Sequence, residues 1–229
     1  AVLLARRGLD LAAESGHLGG VARAHVALAL VKSFIEDGVS SLEHLELALI
    51  AARQLGNPRY EASVLQFLGI GHRELGHHAE AERRLRESLA ISHRWNDRYT
   101  EVLTLLALAR LHVQTGYSAA RDEAELSLAL GREYTMPHHV AEALAVLGSI
   151  ALAEGDGAQA VELLTESVRL WRTRGWPLFL AQALVALGEA RSRTGRPTEA
   201  ARCRAEAVDI FTSVGAVPEA ERVRRAPAR

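Results

Sequence analysis

Residues 67–82 read FLGIGHRELGHHAEAE, and whether this stretch is a reaction centre or a structural turn decides the fold. Three glycines and three histidines in sixteen positions suggest a phosphate-cradling loop or a metal site. Its frame is Leu68-Gly69, six residues, Gly76, four residues, Ala81. The same frame returns as LGSIALAEGDGAQA from Leu147 to Ala160 and as LGEARSRTGRPTEA from Leu187 to Ala200, at offsets of 79 and 40 residues. A blurred copy, LARLHVQTGYSAAR, keeps Leu108 and Gly116 in frame and brings Ala120 one residue early. A more degenerate one, LVKSFIEDG, ends at Gly38. Neither the histidines nor Gly71 has a counterpart in the two matching copies. Self-similarity at a period of about 20–50 residues marks stacked repeats.

Each repeat reads as two helices, A and B, with apolar residues at helical spacing in EVLTLLALARLHV and VELLTESVRLW. Gly38, Gly76, Gly116, Gly155 and Gly195 each follow a helical pattern, where the chain often needs positive φ. Gly69, Gly148 and Gly188 fall mid-helix, where glycine costs about 1 kcal/mol relative to alanine and is tolerable if another helix must come close. Pro58, Pro137, Pro177 and Pro218 suit the first helical position of an A helix, and Pro197 that of a B helix. Asp97 offers a side-chain cap at the one A-helix start without proline.

The expected A helices run over 20–37, 59–75, 98–115, 138–154 and 178–194, and the B helices over 40–56, 78–96, 118–135, 157–174 and 197–214. The repeats then span 18–57, 58–97, 98–137, 138–176 and 177–217, followed by a short polar closing helix over 218–229. Residues 1–17 match the B pattern with no A helix before them, so an upstream segment is expected. The expected fold is an all-α solenoid: one array of five stacked helical hairpins.

Composition narrows the function. A net charge of −1 gives no basic field for nucleic acid or an anionic membrane. No apolar run approaches the roughly 20 residues that cross a bilayer. The opening AVLLARRGLD sets its arginines after the apolar residues, the wrong order for a secretory signal. Cys203 is the sole cysteine, which excludes a disulfide framework and suits a reducing cytosol. Of 27 basic residues only Lys32 is lysine, an arginine bias that points to a GC-rich bacterial source.

These residues resemble the tetratricopeptide repeat, whose frame places Leu-Gly in helix A and Ala-x3-Phe in helix B. Here Leu68-Gly69 is followed by Ala81 and Leu85, and Leu147-Gly148 by Ala160 and Leu164. The last copy departs from the frame with Arg204 at the aromatic position. Leu65, Leu144 and Leu184 replace the usual helix A tryptophan, and the period is nearer 40 than 34. The phrases AARQLGNP, ISHRWNDR and IFTSVGAVPEAERVR are similar to the C-terminal arrays of AfsR-type and MalT-like LuxR-type actinobacterial regulators. That resemblance implies a regulatory segment whose DNA-binding and ATPase domains lie upstream. A free-standing adaptor or peptide-signal receptor is the alternative.

The tetratricopeptide resemblance also implies that the solenoid coils into a right-handed superhelix whose A helices line a concave groove for a protein or peptide. Carrying its inward positions across gives Lys32, Arg73, Arg110, Gln114, Glu142, Gln182, Glu189 and Arg193, among small residues such as Ser63, Ser149 and Ser192. Arginine there suits bidentate grips on carboxylates; a plainly solvated face is the competing reading.

No catalytic, cofactor or metal constellation is expected. His72, His77 and His78 lack a His-Glu-x-x-His pair or a cysteine, and His138-His139 open a helix where imidazoles usually face solvent. G-I-G-H-R-E-L-G has neither a Gly-Lys-Ser/Thr step nor a preceding strand. Cys203 has no evident histidine partner. Glu80, Glu82 and Glu87 interleaved with Arg83, Arg84 and Arg86 read as a solvated helix face. An aromatic content of 5% offers no evident stacking platform.

Overall fold

A computed structural model describes residues 2–35, 38–116 and 118–225, with the side chains of 33–38 left aside. Among the described residues the chain forms twelve helices and no strand. They are α1 (Val2–Glu14), α2 (Leu18–Ile35), α3 (Gly38–Leu55), α4 (Pro58–Glu74), α5 (His78–Arg94) and α6 (Arg98–Thr115). There follow α7 (Ala120–Glu133), α8 (Pro137–Glu154), α9 (Gly157–Arg174), α10 (Pro177–Arg193), α11 (Pro197–Ser213) and α12 (Val217–Arg225). The even-numbered helices from α2 to α10 are the A helices, and α3 to α11 the B helices. The helices group into two compact units, Ala1–Tyr117 and Ser118–Arg229.

In the first unit α2–α3 and α4–α5 are antiparallel hairpins, α1 lies on α2, and the A helices α4 and α6 also touch. Leu65 and Leu68 of α4 pack with Leu45 and Leu49 of α3, and Leu85 of α5 packs with Leu108 and Leu111 of α6. In the second unit the hairpins are α8–α9 and α10–α11, α7 lies on α8, α12 closes on α11, and α8 touches α10. Trp171, Leu184, Leu187 and Phe211 anchor its core. Alanines such as Ala62, Ala141, Ala160 and Ala181 are fully buried, because small side chains let the helix axes approach.

The Leu-Gly frame follows from packing. A Cβ built on Gly69 would meet the Leu85 side chain, with Cδ2 at 2.6 Å; on Gly148 it would meet Leu164 Cγ at 2.6 Å. At Gly188 the nearest atoms are the Ala200 carbonyl oxygen at 3.2 Å and Arg204 Cγ at 3.4 Å. The helix B residue of the Ala-x3-Phe frame therefore seats itself over the helix A glycine in all three copies. Gly71, without a repeat counterpart, faces Leu42 of α3 in the same way, at 2.8 Å.

Gly76, Gly116, Gly155 and Gly195 take positive φ in the A-to-B turns, as the frame requires. Gly38 does not end a helix: it opens α3, and residues 36 and 37, placed in helix A from sequence, lie outside the described residues. A second positive-φ series, not anticipated, marks the B-to-A turns at Gly16, Gly56, Asn96, Thr135, Gly175 and Gly215. Asp97 caps α6 by accepting from the Thr100 backbone N–H at 3.3 Å and the Thr100 hydroxyl at 2.8 Å. The blurred copy carries a short B helix, α7, of 14 residues.

Candidate functional site

The eight residues carried over from the repeat family fall into two groups. In the first unit, Arg73 lies in the last turn of α4 and Arg110 on the neighbouring A helix α6; both are half-buried. Arg73 keeps only 14% of its side chain exposed, with its guanidinium 3.7 Å from Glu74. Gln114, one turn beyond Arg110, is exposed, and Lys32 is half-buried in the last turn of α2. These arginines are thus not fully solvated: the Nε atom of each is buried.

In the second unit, Glu142 on α8 is half-buried, and Gln182, Glu189 and Arg193 on α10 are exposed. Arg193 bonds Glu189 one turn earlier at 2.5 Å and donates to the Leu152 carbonyl of α8 at 3.4 Å. Two of the eight side chains therefore neutralise each other, which leaves this group less charged than its sequence suggests. Ser149 also turns back on its own helix, donating to Ala145 at 3.0 Å.

The opening stretch is a turn, and its histidines do not converge. The His72 and His77 rings are 5.8 Å apart between centroids, His78 is exposed at the start of α5, and no set of three metal-ligating side chains gathers among the described residues. Burial pushes the His72 pKa down from 6.5, against the pull of Glu80 and helped by Arg84 and His77.

The run of alternating charge after the turn is not a plain solvated face. Glu80 accepts from Arg83 and Arg84, which hold its pKa at about 2, chiefly through the Arg83 hydrogen bond. Arg84, 13% exposed, also reaches Glu46 of α3 at 2.6 Å, and Glu87 receives Arg53 of α3 at 2.7 Å. Arg132–Glu166 at 3.6 Å and Arg172–Glu206 at 2.7 Å repeat the Arg53–Glu87 rung between successive B helices at the same 34-residue offset.

His138 and His139 are not solvated either. Both are half-buried, and burial lowers the His139 pKa. His138 joins an aromatic cluster: its ring centroid is 4.9 Å from Trp176 and 6.0 Å from Trp171, and Phe179 stacks on Trp171 at 4.9 Å. Low aromatic content hid this platform. The signal was positional, since its members all sit at B-helix ends and A-helix starts. A second feature missing from the sequence reading is an open cleft of about 470 Å³ at the same turn register in the first unit, lined in part by His17, Arg23, Leu55, Asn57 and Tyr60. Cys203 is buried, and Arg191 lies 3.2 Å from its Sγ.

Known proteins share this arrangement. Residues 20–94 match the tetratricopeptide repeat family. The chain is 30% identical over 224 residues to "Regulatory protein AfsR" of Streptomyces griseus, an alignment covering 96% of this chain and 22% of that protein. It thus spans about a fifth of the length of the curated relative it matches. A Signal Transduction ATPase with Numerous Domains (STAND) protein with a tetratricopeptide repeat sensor, from Pyrococcus horikoshii, superposes with a TM-score of 0.70 at 16% identity, over 90% of this chain and 32% of that one. A Rap protein complexed with competence and sporulation factor superposes with a TM-score of 0.77 at 11% identity, over 92% and 64% of the two chains. Among the described residues no helix is long and apolar enough to cross a membrane. Repeat frame, hairpin packing and these likenesses agree on the fold: the chain is built of tetratricopeptide-like helical hairpins, matches that repeat family over residues 20–94, and is similar in sequence to Regulatory protein AfsR.

Proposed function

We propose that this chain is the regulatory segment of a cytoplasmic bacterial transcription regulator, and that its A helices recognise a protein or peptide. The observation that carries the reading is the alignment to Regulatory protein AfsR, which runs through 96% of the chain rather than through one repeat. The recognising groups are Lys32, Arg73, Arg110 and Gln114 in the first unit and Glu142, Gln182, Glu189 and Arg193 in the second. The bound molecule is an effector, or the regulator's own ATPase or DNA-binding domain. Binding biases an on/off equilibrium only through unequal affinity for the two states. The sensor role of the repeats in the STAND protein, and the factor bound by the Rap protein, support this choice over catalysis.

The test is the coding sequence upstream of residue 1. An in-frame P-loop and a DNA-binding segment are expected. A start codon at that point, with no such domains, would instead make the chain a free-standing adaptor.

A further inference from the structure

We propose that the B-to-A turn edge of the second unit is a docking surface for an acidic amphipathic helix of a partner protein. This surface lies at the helix ends and shares no residue with the A-helix face above. Six large apolar side chains of the described second unit are exposed, and five of them sit at these turns: Tyr134, Trp176, Leu178, Val214 and Val217. Trp176 is 46% exposed although its ring lies 4.9 Å from His138 and 5.5 Å from Phe179. Below it, Phe179 stacks on Trp171, which is 3% exposed. The exposed indole thus rests on a rigid aromatic floor, the arrangement of an interface anchor. Trp176 also bridges two turns, reaching from the start of α10 to the start of α8.

Register selects a helix as the occupant. The A helices α8 and α10 touch, and packed helices lie about 8–10 Å apart, so the turns that open these two helices sit at about that spacing. A helix rises about 1.5 Å per residue, so an apolar residue every seven positions meets each turn in succession. An extended strand fits poorly, because side chains on one of its faces recur at about 6.6 or 13 Å.

Charge selects its sign. Although the whole chain carries −1, the last turns of α7 and α9 bear Arg132, Arg172 and Arg174, and the first turns of α8 and α10 bear no acid. Arg132 and Arg172 have carboxylate partners on neighbouring B helices, while the acids at this edge are Glu133 at the end of α7 and Glu219 in the first turn of α12. Arginine recurs within two residues of the exposed aromatics, as Arg132 with Tyr134 and Arg174 with Trp176. The first unit repeats the pattern independently, with Arg94 beside the exposed Trp95. Tryptophan, tyrosine and arginine are the side chains that most often dominate interface energies.

The test uses the whole chain and a labelled synthetic peptide of about three heptads, with leucine on one face and glutamate elsewhere. Fluorescence anisotropy should show saturable binding, weakened by salt. The same peptide with lysine for glutamate should bind at least about tenfold more weakly. Trp176→Ala and Arg174→Glu, each on an exposed side chain, should each weaken binding with unchanged helicity, while Arg73→Glu leaves it intact. Equal affinity for the two peptides, or no binding of either, overturns the proposal. So does salt-insensitive self-association that Trp176→Ala abolishes, which would make the occupant a second copy.

Discussion

The Leu85 side chain occupies the space that a Cβ on Gly69 would need, and Leu164 does the same over Gly148. The gap between helices A and B is set by this pairing of an absent side chain with a branched one. At Gly188 the covering residue is Arg204, whose Cγ stands off at 3.4 Å. Gly148→Ala should therefore destabilise the chain by up to about 2 kcal/mol, since overpacking costs about 1–3 kcal/mol and the helix-propensity gain is about 1 kcal/mol. Gly188→Ala should cost less, its propensity gain offsetting more of the crowding. Denaturant midpoints of the two variants check the order; equal midpoints would mean that the hairpins do not depend on this contact.

Thr135 holds φ 55° in the turn where Gly175 holds φ 70° one repeat later. A β-branched residue in that region is strained, by about 1–2 kcal/mol. Glycine loses more conformational entropy on folding, about 0.5–1 kcal/mol, so Thr135→Gly should give a net gain of up to about 1.5 kcal/mol. Gly175→Thr should lose stability at the equivalent position. Thermal denaturation of both variants tests the pair.

Acid should weaken the fold in two stages. His25 on α2 and His44 on α3 meet with Nδ1 atoms 3.1 Å apart and ring centroids 5.3 Å apart, a head-on arrangement in which one ring donates and the other accepts. Burial and then His44 lower the His25 pKa, and burial is also the main cause at His72 and His139. With folded-state values below the unfolded 6.5, the unfolded chain binds more protons in between, so stability is full above about 6.5 and falls as pH drops below it. Glu80 acts lower: its stabilisation is present above 4.5 and is lost as pH falls toward about 2. Denaturant midpoints from pH 8 to pH 3 should show the first decline, and His72→Gln should shrink it. A midpoint that rises on acidification through pH 6 would contradict the buried, neutral histidines.

The repeat phase was legible because glycine and proline are punctuation with few substitutes: Pro58, Pro137, Pro177 and Pro197 each open a helix, and Gly155 and Gly195 each close a turn. The second series of turns was harder to see, because Asn96 and Thr135 hold positive φ without being glycine. The candidate A-helix residues could be placed on their helices but not paired. Whether Arg193 meets Glu189 depends on rotamers that spacing does not fix. The aromatic cluster escaped for a related reason. Trp171 and Trp176 flank one turn, whereas His138 comes from the turn one repeat earlier and meets them only because the turns stack.

Charge reversal on the A layer bears most directly on the proposed role. Arg73→Glu with Arg110→Glu, titrated calorimetrically against the partner protein recovered from the source organism, should raise Kd at least about tenfold with unchanged far-UV helicity, and the milder Arg73→Gln with Arg110→Gln should lose less. An affinity equal to that of the unaltered chain, with helicity intact, would contradict recognition by the A helices.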